Sequence, residues 1–399
     1  MKLLKGYRKY LYERDTVFAT ISVFVVIGLL ALIPLNTHIL NPVTEAFADF
    51  DFNDIVYAKV RQKDKIPFDD RIVIVNIGYS DRAGIAAMLE KVASYKPKVV
   101  GLDALFEGPR DPAADSILSR VMASMPHLVM ASRLNWDDHG KHLEVKNGYF
   151  NRPGGNFAFV NLVGEEKGTI RHYSPFEEYH HKEYLSFGAA ILEKSYPEKY
   201  KRLYTRHKEM EIINYTRNAE KYYTIDGENL LAGNVVDTVF TNKIVLLGYL
   251  NSSPNDVEDK FYTSMNPKMV STFPDMNGIV IHANFLSMAL DNQYIHSTPK
   301  WVNWVITILI AWLHVSLFIR YYIDAHLWFH LVAKGAQLIS AILFVALSVL
   351  CLSYFSLKID MKMAITVIIL AIDVIYFYEA LAVWLREKHG FKTIFHHKH

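Results

Sequence analysis

Arg71–Ile77 reads RIVIVNI, a nearly unbroken β-branched run, and its reading decides the fold of the largest part of the chain. A strand apolar on both faces has to be covered on both, as in the interior of a parallel sheet. Downstream, Gly78–Asp81 turns the chain, and Ile85, Met88, Leu89 and Val92 recur at helical spacing. Pro97 ends that helix, and Lys98–Leu105 (KVVGLDAL) supplies a second strand. Asp111-Pro112 is an N-cap with proline at the first helical position, opening a helix to about Met125, and His127–Ser132 gives a third strand. Strand–helix–strand–helix–strand with short connections predicts parallel pairing through right-handed crossovers.

Around this nucleus the pattern is more mixed. Upstream, Thr44–Arg61 reads as an amphipathic helix. Downstream, Asn156–Val163 and Thr169–Tyr173 flank the glycine-bounded turn Gly164–Gly168, which predicts a hairpin. Leu185–Lys194 is a short helix, Lys243–Gly248 a buried strand and Gly278–Leu290 a helix. Asn218–Asn234 and Asn251–Asn277 read as loops.

Further out, the composition changes. Four apolar stretches, near 16–35, 299–319, 333–354 and 364–385, are each about 20 residues long, enough for a helix to cross a bilayer. Lys2, Lys5, Arg8, Lys9 and Arg14 precede the first and Arg386, Lys388, Lys392 and Lys398 follow the last. The positive-inside rule therefore places residues 1–15 and 386–399 in the cytoplasm and residues 36–298 outside it. The first stretch exceeds a signal-peptide core and no small-x-small site follows Leu35, so it reads as an uncleaved anchor. The predicted class is an α/β extracytoplasmic domain with a central, largely parallel sheet, plus four transmembrane α-helices, one before and three after.

Bulk properties narrow the function. Hydrophobic residues make up 51% and charged ones 21%, as expected of a membrane protein with a folded soluble part. A net charge of +2 gives no reason to invoke nucleic acid. The single cysteine, Cys351, lies in the third stretch, so no intramolecular disulfide forms, and a bacterial periplasm is the expected compartment.

Ligands of parallel α/β sheets bind outside the carboxyl ends of the strands, where Asn76, Asp103 and Arg133 fall. No nucleophile, Walker or metal-ligating constellation occurs, so no catalytic residue, metal or cofactor is expected. Asp256, Glu258, Asp259 and Asp275 read as a solvated acidic loop whose spacing fits no calcium site. Within the apolar stretches, Asp373 falls near the middle of the fourth, with Glu379 six residues on. His314 and Ser340 lie at comparable depths, and His314 is expected to contact Glu379. Such residues should face protein rather than lipid.

RIVIVNI, KPKVVGLDALF (96–106), Gly168–Arg171, LSFGAAILEKSY (185–196), NKIVLLG (242–248) and GIVIHAN (278–284) occur in an order that resembles the CHASE2 family of extracytoplasmic sensory domains. One anchor before the domain and three spans after it is also that family's layout. The resemblance implies a sensory domain and adds Arg171 and His282 to the ligand-binding candidates. It also shows departures: Asn76-Ile77-Gly78 stands where relatives carry Asp-Ile-Asp, and the tryptophan-proline-tryptophan element is missing. Relatives continue into a cytoplasmic effector module, whereas this sequence is expected to act as a stand-alone sensor.

The expected function is a non-enzymatic inner-membrane sensor that detects a ligand or protein in the periplasm and signals through a separate partner. The alternative is a structural subunit of an envelope complex. Expected partners are the lipid bilayer and a membrane or periplasmic protein, with self-association of the chain as a further option.

Overall fold

The computed structural model describes residues 8–32, 51, 53–61, 66–137, 142–150, 155–164, 168–179, 181–251, 253, 256–266, 273–324 and 326–395. Much of the expected 44–61 helix, the tip of the 164–168 turn and the connection after the first apolar stretch lie outside those residues. The chain divides into two compact units, Asp49–Ile295 and the pairing of Met1–Ala48 with His296–His399.

The first unit is built on seven strands: β1 (Asp69–Asn76), β2 (Val99–Leu102), β3 (Leu128–Asp137), β4 (His142–Lys146), β5 (Phe157–Phe159), β6 (Tyr222–Asp226) and β7 (Ile244–Gly248). They lie in the order β6-β1-β7-β2-β3-β4, with β5 also pairing β3. Every pairing is parallel except the β3–β4 hairpin. Ile72, Val73, Ile74 and Val75 of β1 are all fully buried, because helices cover both faces of the sheet.

On one face, α1 (Arg82–Ser94) and α2 (Pro112–Ser124) pack over Val73, Val75, Val100, Val245 and Leu247. Asp81 and Asp111 cap these helices through Gly84 N and Ala114 N. On the other face lie α3 (Phe187–Ser195) and α4 (Gly278–Asp291). Gly101 of β2 faces α3 so closely that a Cβ there would stand 2.6 Å from Ile191 Cδ1 and 2.7 Å from Phe187 Cζ.

Several expectations are corrected, among them that Asn251–Asn277 is loop, since it holds the strands Lys260–Thr263 and Met276–Asn277. Residues 218–234 are not merely loop: they hold edge strand β6 and the short helix Gly227–Leu231. An edge strand has one bare side, so Tyr223 and Thr224 stay exposed while Tyr222 and Ile225 are buried, and the apolar signal is halved. The hairpin across 156–173 is reduced to one antiparallel bridge, Val163 with His172, because Phe157–Phe159 instead extends the main sheet beside β3.

Among the described residues, the second unit contains four helices long and apolar enough to cross a membrane: Arg14–Ala31, Lys300–Asp324, His326–Phe355 and Lys362–His389. They are termed here the first to fourth spans. Ala19, Val23, Ala311, Val315, Ala371 and Ile375 form their seam, where small side chains let the backbones approach. Several polar side chains inside are tied to backbone or hydroxyl groups. Thr20 Oγ1 donates to Thr16 O at 2.7 Å, and Gln337 Nε2 donates to Ile368 O and Ile369 O at 2.7 and 2.9 Å. Asp15, buried, accepts from Tyr378 Oη at 2.5 Å and Ile394 N at 2.7 Å.

The expected His314–Glu379 contact does not form. Glu379 accepts instead from Tyr322 Oη at 2.5 Å, and the His314 ring is bonded through Nδ1 to Ile310 O at 2.9 Å. Tyr322 lies eight residues beyond His314 on the second span, about 12 Å along the axis, so a carboxylate level with one cannot reach the other. Ser340 is half-buried on the third span, and Asp373 is exposed on the surface of the fourth.

Candidate ligand site at the carboxyl edge of the sheet

Strand β1 exits toward α1 on one face, β7 toward α4 on the opposite face, and β2 back toward α2 on the first. The order of connections thus reverses on both sides of β7. Such reversals leave crevices outside the carboxyl ends of the strands, because the flanking loops diverge.

The crevice between β1 and β7 is a cleft of about 660 Å³, lined among others by Asn76, Tyr79, Asp226, Tyr249, Asn251 and Asn277. Asn76 organises its floor. Its Oδ1 accepts from Gly78 N and Leu250 N, both at 3.0 Å, and its Nδ2 donates to Asp226 Oδ1 at 3.0 Å. One side chain thereby pins the exits of β1, β7 and β6. Above it the rings of Tyr79 and Tyr249 meet edge to face at 5.4 Å, with Tyr249 Oη held by Asp256 and Tyr79 Oη by Glu258.

On the other side of β7 stands Asp103, directly after β2. Its backbone N–H extends the ladder to Leu247 O at 2.8 Å. Burial, reinforced by the Asp259 carboxylate and opposed by the Arg133 guanidinium, pushes its carboxyl up to about 8. His282 of α4 faces it, Nε2 lying 4.0 Å from Asp103 Oδ2. Burial pushes the imidazole down to about 3, so it is neutral across the physiological range.

The tautomer follows from a chain of hydrogen bonds. Gly188 N, in the first turn of α3, donates to Tyr173 Oη at 2.9 Å, and that hydroxyl lies 2.8 Å from His282 Nδ1. With the tyrosine giving its proton to Nδ1, the imidazole proton sits on Nε2 and points toward Asp103. Gly188 is required at this point, because a Cβ would lie 2.5 Å from Phe285 Cδ1 and 2.9 Å from Tyr173 Oη.

The structure brings Asp103 and His282 together and sets Asn76 across β7 from them. Arg133 lines a second, wider cleft of about 930 Å³ with Phe106, Glu144, Lys146 and Tyr149. Arg171 lies elsewhere: its guanidinium clasps Asp54, Nη2 to Oδ2 at 2.6 Å, with both side chains about 15% exposed (15% and 14%). Desolvation raises the Asp54 carboxyl even against that cation.

Residue-by-residue reading missed Tyr79, Asp226, Tyr249, Asn251, Tyr173 and the contribution of Asp259. For Tyr249 and Asn251 a signal existed, since they follow the strand KIVLLG just as Asp103 follows VVGL. Tyr173 and Asp259 are placed only by tertiary packing.

A parallel α/β domain with a polar crevice at the strand exits, carried on a chain with four membrane-length helices, is the architecture of a membrane protein with a folded globular domain. The sequence model of the CHASE2 domain matches residues 26–318, so this chain belongs to the CHASE2 family of extracytoplasmic sensory domains. No curated protein and no solved structure matches it.

Proposed function

We propose that this chain is a bacterial inner-membrane sensor whose outer domain, on the periplasmic side, detects a small polar ligand or a protein segment at the carboxyl edge of its sheet. It has no catalytic activity and signals through a separate partner, with both termini in the cytoplasm. The observation that carries this reading is the cleft over Asn76, which joins the exits of three strands at a reversal of chain direction. A ligand bridging Tyr79, Tyr249 and Asp226 would shift the exits of β1 and β7 relative to each other. The chain leaving β7 leads to α4, and eight residues separate the end of α4 from the second span, which begins at Lys300. A binding-induced shift has a short covalent route to the membrane. It becomes a signal only if ligand binds two conformations with different affinity.

The full chain in nanodiscs, screened by thermal shift against sugars, polyols, amino acids and polyamines, tests the reading. A hit lost in Asn76→Ala and in Asp226→Ala is expected. Binding that survives both substitutions rules out this cleft. The alternative, a structural subunit of an envelope complex, is favoured by one feature: only 11% of the apolar window of the third span is buried. Partners retained in fixed ratio through mild-detergent purification would support it.

A further inference from the structure

The third and fourth spans run antiparallel, and two contacts fix their register. Gln337 donates to Ile368 O and Ile369 O, and the His330 ring stacks on Tyr376 at 6.4 Å. Lys334 stands one turn from both His330 and Gln337, and Asp373 one turn from both Tyr376 and Ile369. The two charges therefore lie level, on the same side of the seam between the helices. Both are exposed, and among the described residues neither side chain has a hydrogen-bond or ion-pair partner. They are set in apolar surface: Leu331 and Leu338 flank Lys334, Ile369 and Phe377 flank Asp373, and all four are more than half exposed.

Ionisable side chains on a lipid-facing surface are costly and normally meet a partner. This face carries one charge of each sign at one depth, which makes it complementary to its own two-fold mate. A bilayer orients two copies alike, so their charges fall at matching depth without further adjustment. We propose that the Lys334–Asp373 face of the third and fourth spans is a self-association surface, with Lys334 of each copy paired to Asp373 of a second copy of this chain. In such an isologous interface the pair occurs twice.

Charge reversal separates this from every other use of the two residues. Differently tagged full-length chains are co-expressed, placed in nanodiscs and scored for mutual capture. Wild-type copies are expected to capture each other, while Lys334→Asp alone or Asp373→Lys alone cuts self-capture at least tenfold. Co-expressing the Lys334→Asp chain with the Asp373→Lys chain restores both pairs across the interface and should return capture close to wild type. Should either reversed chain insert poorly, Lys334→Gln and Asp373→Asn provide milder versions, each expected to lower capture severalfold. Wild-type chains that do not capture each other, or single variants that do so undiminished, overturn the proposal. So does rescue seen only when both reversals sit in one chain, which would make the pair an intrachain clamp.

Discussion

The two units of this molecule treat charge in opposite ways. In the outer unit, most buried charges are met by opposite charges, some from neighbouring and some from distant sequence. Arg82 is held by Asp115 at 2.5 Å and by the Gly108 carbonyl, and its guanidinium lies over Phe106, Tyr149 and Phe150. Asp69 accepts from Arg71 and from Ser287, 218 residues away. In the membrane unit, side chains such as Gln337 and Thr20 lean on backbone carbonyls, while Lys334 and Asp373 are left on its surface. A core formed in water can offset desolvation with a remote countercharge. Spans that insert as finished helices have few such countercharges to reach, so an unpartnered charge there points outward to something else.

The sharpest way to break this contrast is to remove one half of an outer-unit pair. Arg171→Met leaves the Asp54 carboxylate buried without its cation, and should cost about 3–5 kcal/mol of stability. For a unit of this size that lowers the unfolding midpoint by roughly 10 °C. Asp54→Leu combined with Arg171→Met should recover most of the loss, because two apolar groups need no mutual compensation. A double variant as unstable as the single would mean that the guanidinium supports more than this pair.

Reading the sequence went furthest where burial is complete. RIVIVNI, VVGL and IVLLG announce interior strands because both faces are covered, and the order of strands and helices then implies parallel pairing. The same logic reached Asn76 and Asp103, since strand exits are computable from strand ends. It failed at β6, whose exposed edge carries Tyr223 and Thr224, and so it missed Asp226 at the exit. The candidate Arg171 came from the family resemblance rather than from strand ends, and the fold sets it against Asp54, 117 positions away. The partner of Glu379 was misjudged for a related reason. Depth along one helix is legible in sequence, but the register between two helices is fixed by contacts such as Gln337 with Ile368, which no periodicity encodes.

A second prediction concerns Asp103, an outer-unit acid whose surroundings do not offset its burial. Asp103 is held near 8 in the folded chain, against about 3.9 when unfolded. Between those values the native state keeps a proton that the unfolded state has released. The associated stability is complete below about pH 4 and is lost as pH rises toward 8. The slope is about 1.4 kcal/mol per pH unit wherever the full proton difference persists. His282, depressed to about 3, acts on the other limb, where its contribution fades as pH falls below the ordinary histidine range. Asp103→Asn should abolish the loss on the alkaline limb and leave the acid limb in place. Thermal unfolding of the full chain from pH 5 to 9 measures this, and an unchanged alkaline limb would show that Asp103 is ionised in the fold.

The smallest effect is expected inside the membrane unit, and it probes the other half of the contrast. Gln337 is buried and spends its amide on two carbonyls that already serve their own helix. Gln337→Leu removes a hydrogen-bonding group without orphaning an acceptor, so the loss should be only about 0.5–1 kcal/mol, read by titration with a denaturing detergent. The leucine fills much the same space, and lipid offers no competing hydrogen bonds to either state. A loss as large as that of Arg171→Met would mean that the register of the third and fourth spans rests on the amide alone. In that case Lys334 and Asp373 would fall out of level, and self-capture should fall in the same variant.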